Sequence, residues 1–143
     1  MLAVEADPTT CDRLRRNVAA NPELAPAVEV VGSRVAMKTK PDEGTVSLDD
    51  LAYGADGFVP DLVKLDVEGM EVRAIRGGQR LLSERRPHVI VETHSQDLDA
   101  ACRELLEDHG YAVEAVEARR WAPEVRTAEL NRWLVARGHT RPR

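Results

Sequence analysis

Aromatic residues make up only 3% of this chain. That scarcity argues against the stacking platforms on which single-stranded nucleic acids are held. Lysine occurs only at positions 38, 40 and 64, so nearly all basic charge is arginine. The 20 basic and 25 acidic side chains leave a net charge of −5, which argues against binding driven by phosphate neutralisation. There are two cysteines, Cys11 and Cys102, without metal-ligand spacing. Each falls on the apolar stripe of an expected helix and reads as a reduced core residue of a cytosolic protein. No apolar run approaches a membrane span, and no stretch reads as a signal peptide. Glycine is absent ahead of Gly32.

What is present is an ordinary globular composition. With 143 residues, 43% hydrophobic and 31% charged, the chain is expected to form one domain. A chain of this size buries roughly 70% of its unfolded surface. The reading is therefore a single domain over residues 1–139 and a fraying tail at 140–143.

The stretch from Val63 to Glu71 organises the rest. An apolar run, Asp61 to Leu65, reads as a buried strand. Two carboxylates, Asp66 and Glu68, follow one residue apart, then Gly69, then a helical pattern. In open α/β sheets ligands sit beyond the carboxyl ends of strands, and Asp66 and Glu68 stand at such an end. Acids before a helix also stabilise its N-terminus by capping and by the macrodipole. The pair of acids with a glycine favours a functional role over capping alone.

Around that stretch the chain alternates. Met1 to Glu5 reads as a strand. Asp7-Pro8 starts a helix with Asp7 as cap, and Cys11, Leu14 and Val18 form its stripe. Val28 to Val31 is the next strand, turning at Gly32-Ser33. Residues 33–61 are weakly patterned, with a short strand and helical turn over Val46 to Leu51. After Gly69 one helix is expected, with Val72, Ala74, Ile75, Gly78, Leu81 and Leu82 inward and Arg73, Arg76, Arg80 and Ser83 outward. A close helix–sheet contact would account for Gly77-Gly78. Pro87 opens His88 to Glu92, a strand expected to be buried on both faces. Ser95 caps a helix striped by Leu98, Ala101, Cys102, Leu105 and His109 and stopped by Gly110. Strands follow at 111–117 and 131–136, with a loop over 119–129 holding Trp121 near the surface. The order predicts a mostly parallel sheet with helices on both faces and an antiparallel C-terminal strand.

Three strand ends carry acids: Glu5, the Asp66/Glu68 pair, and Glu92 with His94. In dinucleotide-type folds an acid at the end of the second strand binds the two ribose hydroxyls, which Glu5 suits. Glu5 suits equally well as a carboxylate at the next helix N-terminus.

Val4-Glu5-Ala6-Asp7-Pro8, Val46 to Leu51, and above all Val63-Lys64-Leu65-Asp66-Val67-Glu68-Gly69-Met70-Glu71 resemble FkbM-type methyltransferases. Ile75-Arg76-Gly77-Gly78, Pro87 and Val89 to Glu92 complete the resemblance, which spans roughly residues 3–94. It implies a Rossmann-like sheet and an S-adenosylmethionine-dependent O-methyltransferase acting on a hydroxyl of a small molecule or sugar. It also implies that Glu5 holds the cofactor ribose and that Asp66 and Glu68 stand at the cofactor–acceptor boundary, with Asp66 on the cofactor side. From their chemistry Asp66, Glu68, Glu92 and His94 are the catalytic candidates for the base, Glu92 and His94 on the acceptor side. The family carries a first strand and a glycine-rich turn ahead of the position matching Glu5. The expectation is thus an N-terminally truncated sheet that closes the gap, leaves a groove, or recruits a strand through its exposed edges.

Methyl transfer from a sulfonium needs an aligned oxygen nucleophile and a base. Alignment supplies roughly 7–11 kcal/mol in ideal cases. His94 suits the base by its ordinary pKa, though it reads equally well as a loop histidine near a helix start. Two other readings stay open. One is a metal-assisted enzyme using Asp66, Glu68, Glu92 and His94 as ligands. The other is a non-catalytic remnant or interaction module.

Overall fold

Asp7 caps the first helix as its sequence requires: Oδ1 accepts the Thr10 N–H at 2.7 Å, and Pro8 takes the first helical position. This computed structural model describes residues 1–23, 25–117 and 132–138. The expected loop at 119–129 with Trp121, and the tail at 140–143, lie outside the described residues.

Strand β1 (Leu2–Glu5) leads into helix α1 (Pro8–Ala19) and returns as β2 (Glu29–Gly32), parallel to β1. Cys11 is buried under α1 with Leu14 and Val18 half-buried beside it. The weakly patterned region forms two short parallel strands, β3 (Arg34–Val35) and β4 (Thr45–Val46). Helix α2 (Leu48–Tyr53) follows, capped by the Ser47 hydroxyl, which accepts the Asp50 N–H at 3.1 Å.

Strand β5 (Leu62–Leu65) precedes α3 (Glu71–Arg76), α4 (Gln79–Glu84) and β6 (His88–Thr93). The single helix expected after Gly69 is two helices, broken at Gly77-Gly78. A Cβ on Gly77 would lie 2.2 Å from the Ala36 carbonyl oxygen, so only glycine admits this approach. The new start at α4 has no capping side chain of its own. Asp49 supplies it from α2, accepting the N–H groups of Arg80 at 3.1 Å and Leu81 at 2.8 Å. Sidedness is as expected: Ala74, Ile75, Leu81 and Leu82 are buried, while Arg73, Arg76, Arg80 and Ser83 are exposed.

Helix α5 (Gln96–Asp108) is capped by Ser95 and ends before Gly110, whose φ is +76°. Leu106, absent from the expected stripe, is fully buried with Cys102. Strands β7 (Ala112–Glu117) and β8 (Arg132–Arg137) complete a four-stranded sheet in the order β5-β6-β8-β7. The C-terminal strand β8 is antiparallel to both neighbours. Two strand expectations need correction: β5 is not a buried strand, because Leu62 is 55% exposed and Lys64 is exposed, and β6 is not covered fully on both faces, because His88 is exposed and Ile90 half-buried.

The described strands form three ladders, not one continuous sheet. Between β1 and β5 runs an open groove of about 560 Å³, lined by Leu2, Val4, Leu48, Phe58, Leu62 and Asp66 among others. Among the described residues β1 pairs only with β2 and β5 only with β6, so each keeps one free edge. No described helix is long and apolar enough to cross a membrane.

Candidate functional site

The site grows from the register of β5 on β6. Leu65 lies opposite Val91, so the next residues, Asp66 and Glu92, leave the ladder side by side. Residues two apart on a strand share a face, which puts Lys64 beside both acids. Lys64 Nζ is 3.1 Å from Asp66 Oδ2 and 3.8 Å from Glu92 Oε2. On the other side of β6, Trp133 of β8 is paired with Glu92 and donates its indole N–H to Oε2 at 3.1 Å. The Glu92 side chain is only 8% exposed, and these partners meet the hydrogen-bonding needs of its buried carboxyl group.

His94, one residue beyond β6, completes the group. Its Nε2 is 3.6 Å from Asp66 Oδ1 and 4.0 Å from Glu68 Oε2. One donor atom each of Asp66, Glu68 and His94 lies within 4.8 Å of the others. The Glu68 carboxylate is 81% exposed at the mouth of the site, while the His94 ring is 17% exposed. Partial burial pushes the Asp66 carboxyl up, but the Lys64 hydrogen bond and charge, with help from Glu92 and His94, outweigh it. The net pKa lies below 3.8, so Asp66 is ionised at neutral pH.

The turn that presents Asp66 and Glu68 is left-handed at two consecutive residues, Glu68 at φ +48° and Gly69 at φ +90°. Glycine tolerates this region; glutamate adopts it at a cost in strain. Glu71, fully buried at the start of α3, reaches back and accepts the N–H groups of Val67 at 3.3 Å and Gly69 at 3.1 Å.

Glu5 stands apart on another ladder, at the end of β1, where Oε1 accepts the Asp7 N–H at 2.8 Å. The helix-start reading of Glu5 is therefore realised through that oxygen. Sequence reasoning missed Lys64, Glu71 and Trp133. A lysine in an otherwise apolar strand, two residues before an acid, was a usable signal for Lys64. Nothing local marked Trp133, because its tie to Glu92 depends on the β6–β8 register.

A mostly parallel α/β fold with acids at its strand ends is the architecture of Rossmann-like methyltransferases, and the solved structures that resemble this chain are of that class. Residues 1–113 match the family described as the methyltransferase FkbM domain, and the chain belongs to that family. A putative methyltransferase from Jannaschia sp. (strain CCS1) is 27% identical over 95 residues, covering 66% of this chain and 33% of that protein. The crystal structure of methyltransferase FkbM from Methylobacillus flagellatus KT superposes with a TM-score of 0.75 at 18% identity, covering 95% of this chain and 36% of that one. A precorrin-6y C5,15-methyltransferase from Geobacter metallireducens GS-15 gives 0.59 at 22% identity, covering 96% and 66%. The chain thus spans about a third of the length of the curated relative it matches.

Proposed function

We propose that this chain carries the acceptor-side and part of the cofactor-side machinery of an S-adenosylmethionine-dependent methyltransferase that acts on a hydroxyl of a small molecule or sugar. The observation that carries the reading is the meeting of Asp66, Glu68 and His94 beyond the ends of β5 and β6. The ionised Asp66 suits a cationic sulfonium or ammonium, and the groove volume of about 560 Å³ lies within the usual range of ligand sites, roughly 300–1,000 Å³. When bound, the cofactor supplies a methyl group already activated for transfer.

The chain's own residues supply the rest. Glu5, whose Oε1 already accepts the Asp7 N–H, offers Oε2 to the ribose hydroxyls, and Asp66 serves the cofactor side. His94 takes the proton of the acceptor hydroxyl, with the Asp66 carboxylate 3.6 Å from its ring. Glu92 fixes Lys64 and borders the acceptor with His94. Glu68 stands at the entrance, where its carboxylate disfavours anionic acceptors.

The same donor set supports metal-assisted transfer as a second reading, in which Asp66, Glu68 and His94 would hold a divalent cation that polarises the acceptor oxygen. Activity that survives a strong chelator removes it.

The test is calorimetry with S-adenosylmethionine on this chain, alongside Glu5→Ala and Asp66→Ala. The open groove makes weak binding the expected result, further weakened in both variants. Labelled-methyl transfer to a panel of polyols follows. Absence of any saturable heat at high cofactor concentration, or heat indifferent to both substitutions, overturns the assignment in favour of a non-catalytic remnant.

A further inference from the structure

A carboxylate with no exposed surface, tied only to backbone amides, is a costly thing to keep in a core. Glu71 is such a group: it is fully buried, and Oε2 has no hydrogen-bond partner among the described residues. Its charge is also felt by Cys102 of α5, whose thiol is pushed up to about 12, first by burial and then by Glu71 and Asp99. An apolar residue would fill this place without that cost. The position instead holds a side chain whose Oε1 accepts two N–H groups from one turn, those of Val67 and Gly69.

That turn is the one whose backbone is left-handed at both Glu68 and Gly69. The amides of a tight turn can converge on one point and form an anion cradle. Here the cradle is filled from within by Glu71. The Val67 and Gly69 amides are thereby unavailable to an outside phosphate or carboxylate. What the turn offers outward is its side chains, Asp66 and Glu68, both facing His94.

We infer that Glu71 is the positioning residue of this site: by clamping the Val67 and Gly69 amides it locks the turn that sets Asp66 and Glu68 against His94. The inference rests on the reading of Asp66, Glu68 and His94 as the reacting group. Its test needs neither cofactor nor acceptor, so failure here is distinguishable from failure of that reading.

The experiment compares the folded chain with Glu71→Gln, Glu71→Asp and Glu71→Ala by NMR. Glutamine keeps an acceptor oxygen at the same reach. Aspartate keeps the charge but is one methylene too short to reach both amides. The readouts are amide hydrogen exchange at Val67 and Gly69 and the ring signals of His94. Gln is expected to match the parent within about threefold in exchange, with His94 unmoved. Asp and Ala are expected to exchange at least tenfold faster at both amides and to shift the His94 signals. The Asp variant keeps the test decisive if Ala does not fold. Unchanged exchange and an unmoved His94 ring in folded Glu71→Asp overturn the proposal. A Gln variant that behaves like Asp means that the clamp needs the carboxylate as well as its reach, and leaves Glu71 as the clamp.

Discussion

His94 Nε2 lies 3.6 Å from Asp66 Oδ1, although the two residues belong to the ends of different strands. The parallel pairing of β5 with β6 makes them neighbours, and Lys64 on the other oxygen of Asp66 keeps that carboxylate ionised. That proximity makes His94 the candidate base. In the transferase, His94→Asn is expected to slow methyl transfer by roughly 10²–10⁴, the usual contribution of a positioned base. Single-turnover rates with labelled cofactor check this, and an unchanged rate removes His94 from the chemistry.

Acid should weaken the fold in a defined window. Asp7, whose carboxylate accepts the Thr10 N–H, and Asp50, held by Thr39 and Ser47, both have pKa values below 3.8. Asp66 shares that direction despite partial burial, through Lys64. Folded values below the unfolded ones mean that this stability is fully present above 3.8 and is lost as pH falls through the folded values. Urea midpoints measured from neutral pH downward should therefore drop below pH 3.8, and Asp50→Asn should flatten the drop.

Two glycines should fail for different reasons. Gly77→Ala places a Cβ 2.2 Å from the Ala36 carbonyl, a backbone clash that costs about 1–3 kcal/mol. Gly69→Ala has nothing within 4 Å and pays only for its φ of +90°, roughly 1–2 kcal/mol. Denaturant titration should rank Gly77→Ala as the more damaging. Only Gly69→Ala should also disturb the His94 ring signals.

Trp133→Phe keeps most of the ring but removes the N–H that Glu92 accepts at 3.1 Å. A buried carboxylate that loses one donor is expected to cost about 1–3 kcal/mol. Equilibrium unfolding measures the loss. A change below about 0.5 kcal/mol, the scale of ordinary surface substitutions, means that other contacts of Glu92 dominate.

The free edges of β1 and β5 flank an apolar groove in which Leu62 is 55% exposed. Such edges template further strands, so concentration-dependent self-association is expected in sedimentation velocity. Leu62→Lys should suppress it. A monomer at every concentration would show that the edges are protected.

Much of the fold was legible because local chemistry decides it. Asp7-Pro8 announced α1 through a cap and a proline that need only the next turn. Ser95 announced α5 in the same way. The inward stripe of Ala74, Ile75, Leu81 and Leu82 survived even though its helix broke, since helical period and hydrophobicity fix the buried side. The break itself was not legible. It depends on the Ala36 carbonyl, which the sequence places far from Gly77 and only the fold brings close.

The sequence by itself determined which residue types stand at the strand ends: Glu5, Asp66, Glu68, Glu92 and His94, each next to a helix start. Tertiary structure alone decided which of them meet. Strand register joins Asp66 to Glu92, inserts β8 between β6 and β7 so that Trp133 reaches Glu92, and leaves Glu5 on a separate ladder. Register arises from packing summed over a whole sheet, whereas a cap or a helical stripe is settled within a few residues.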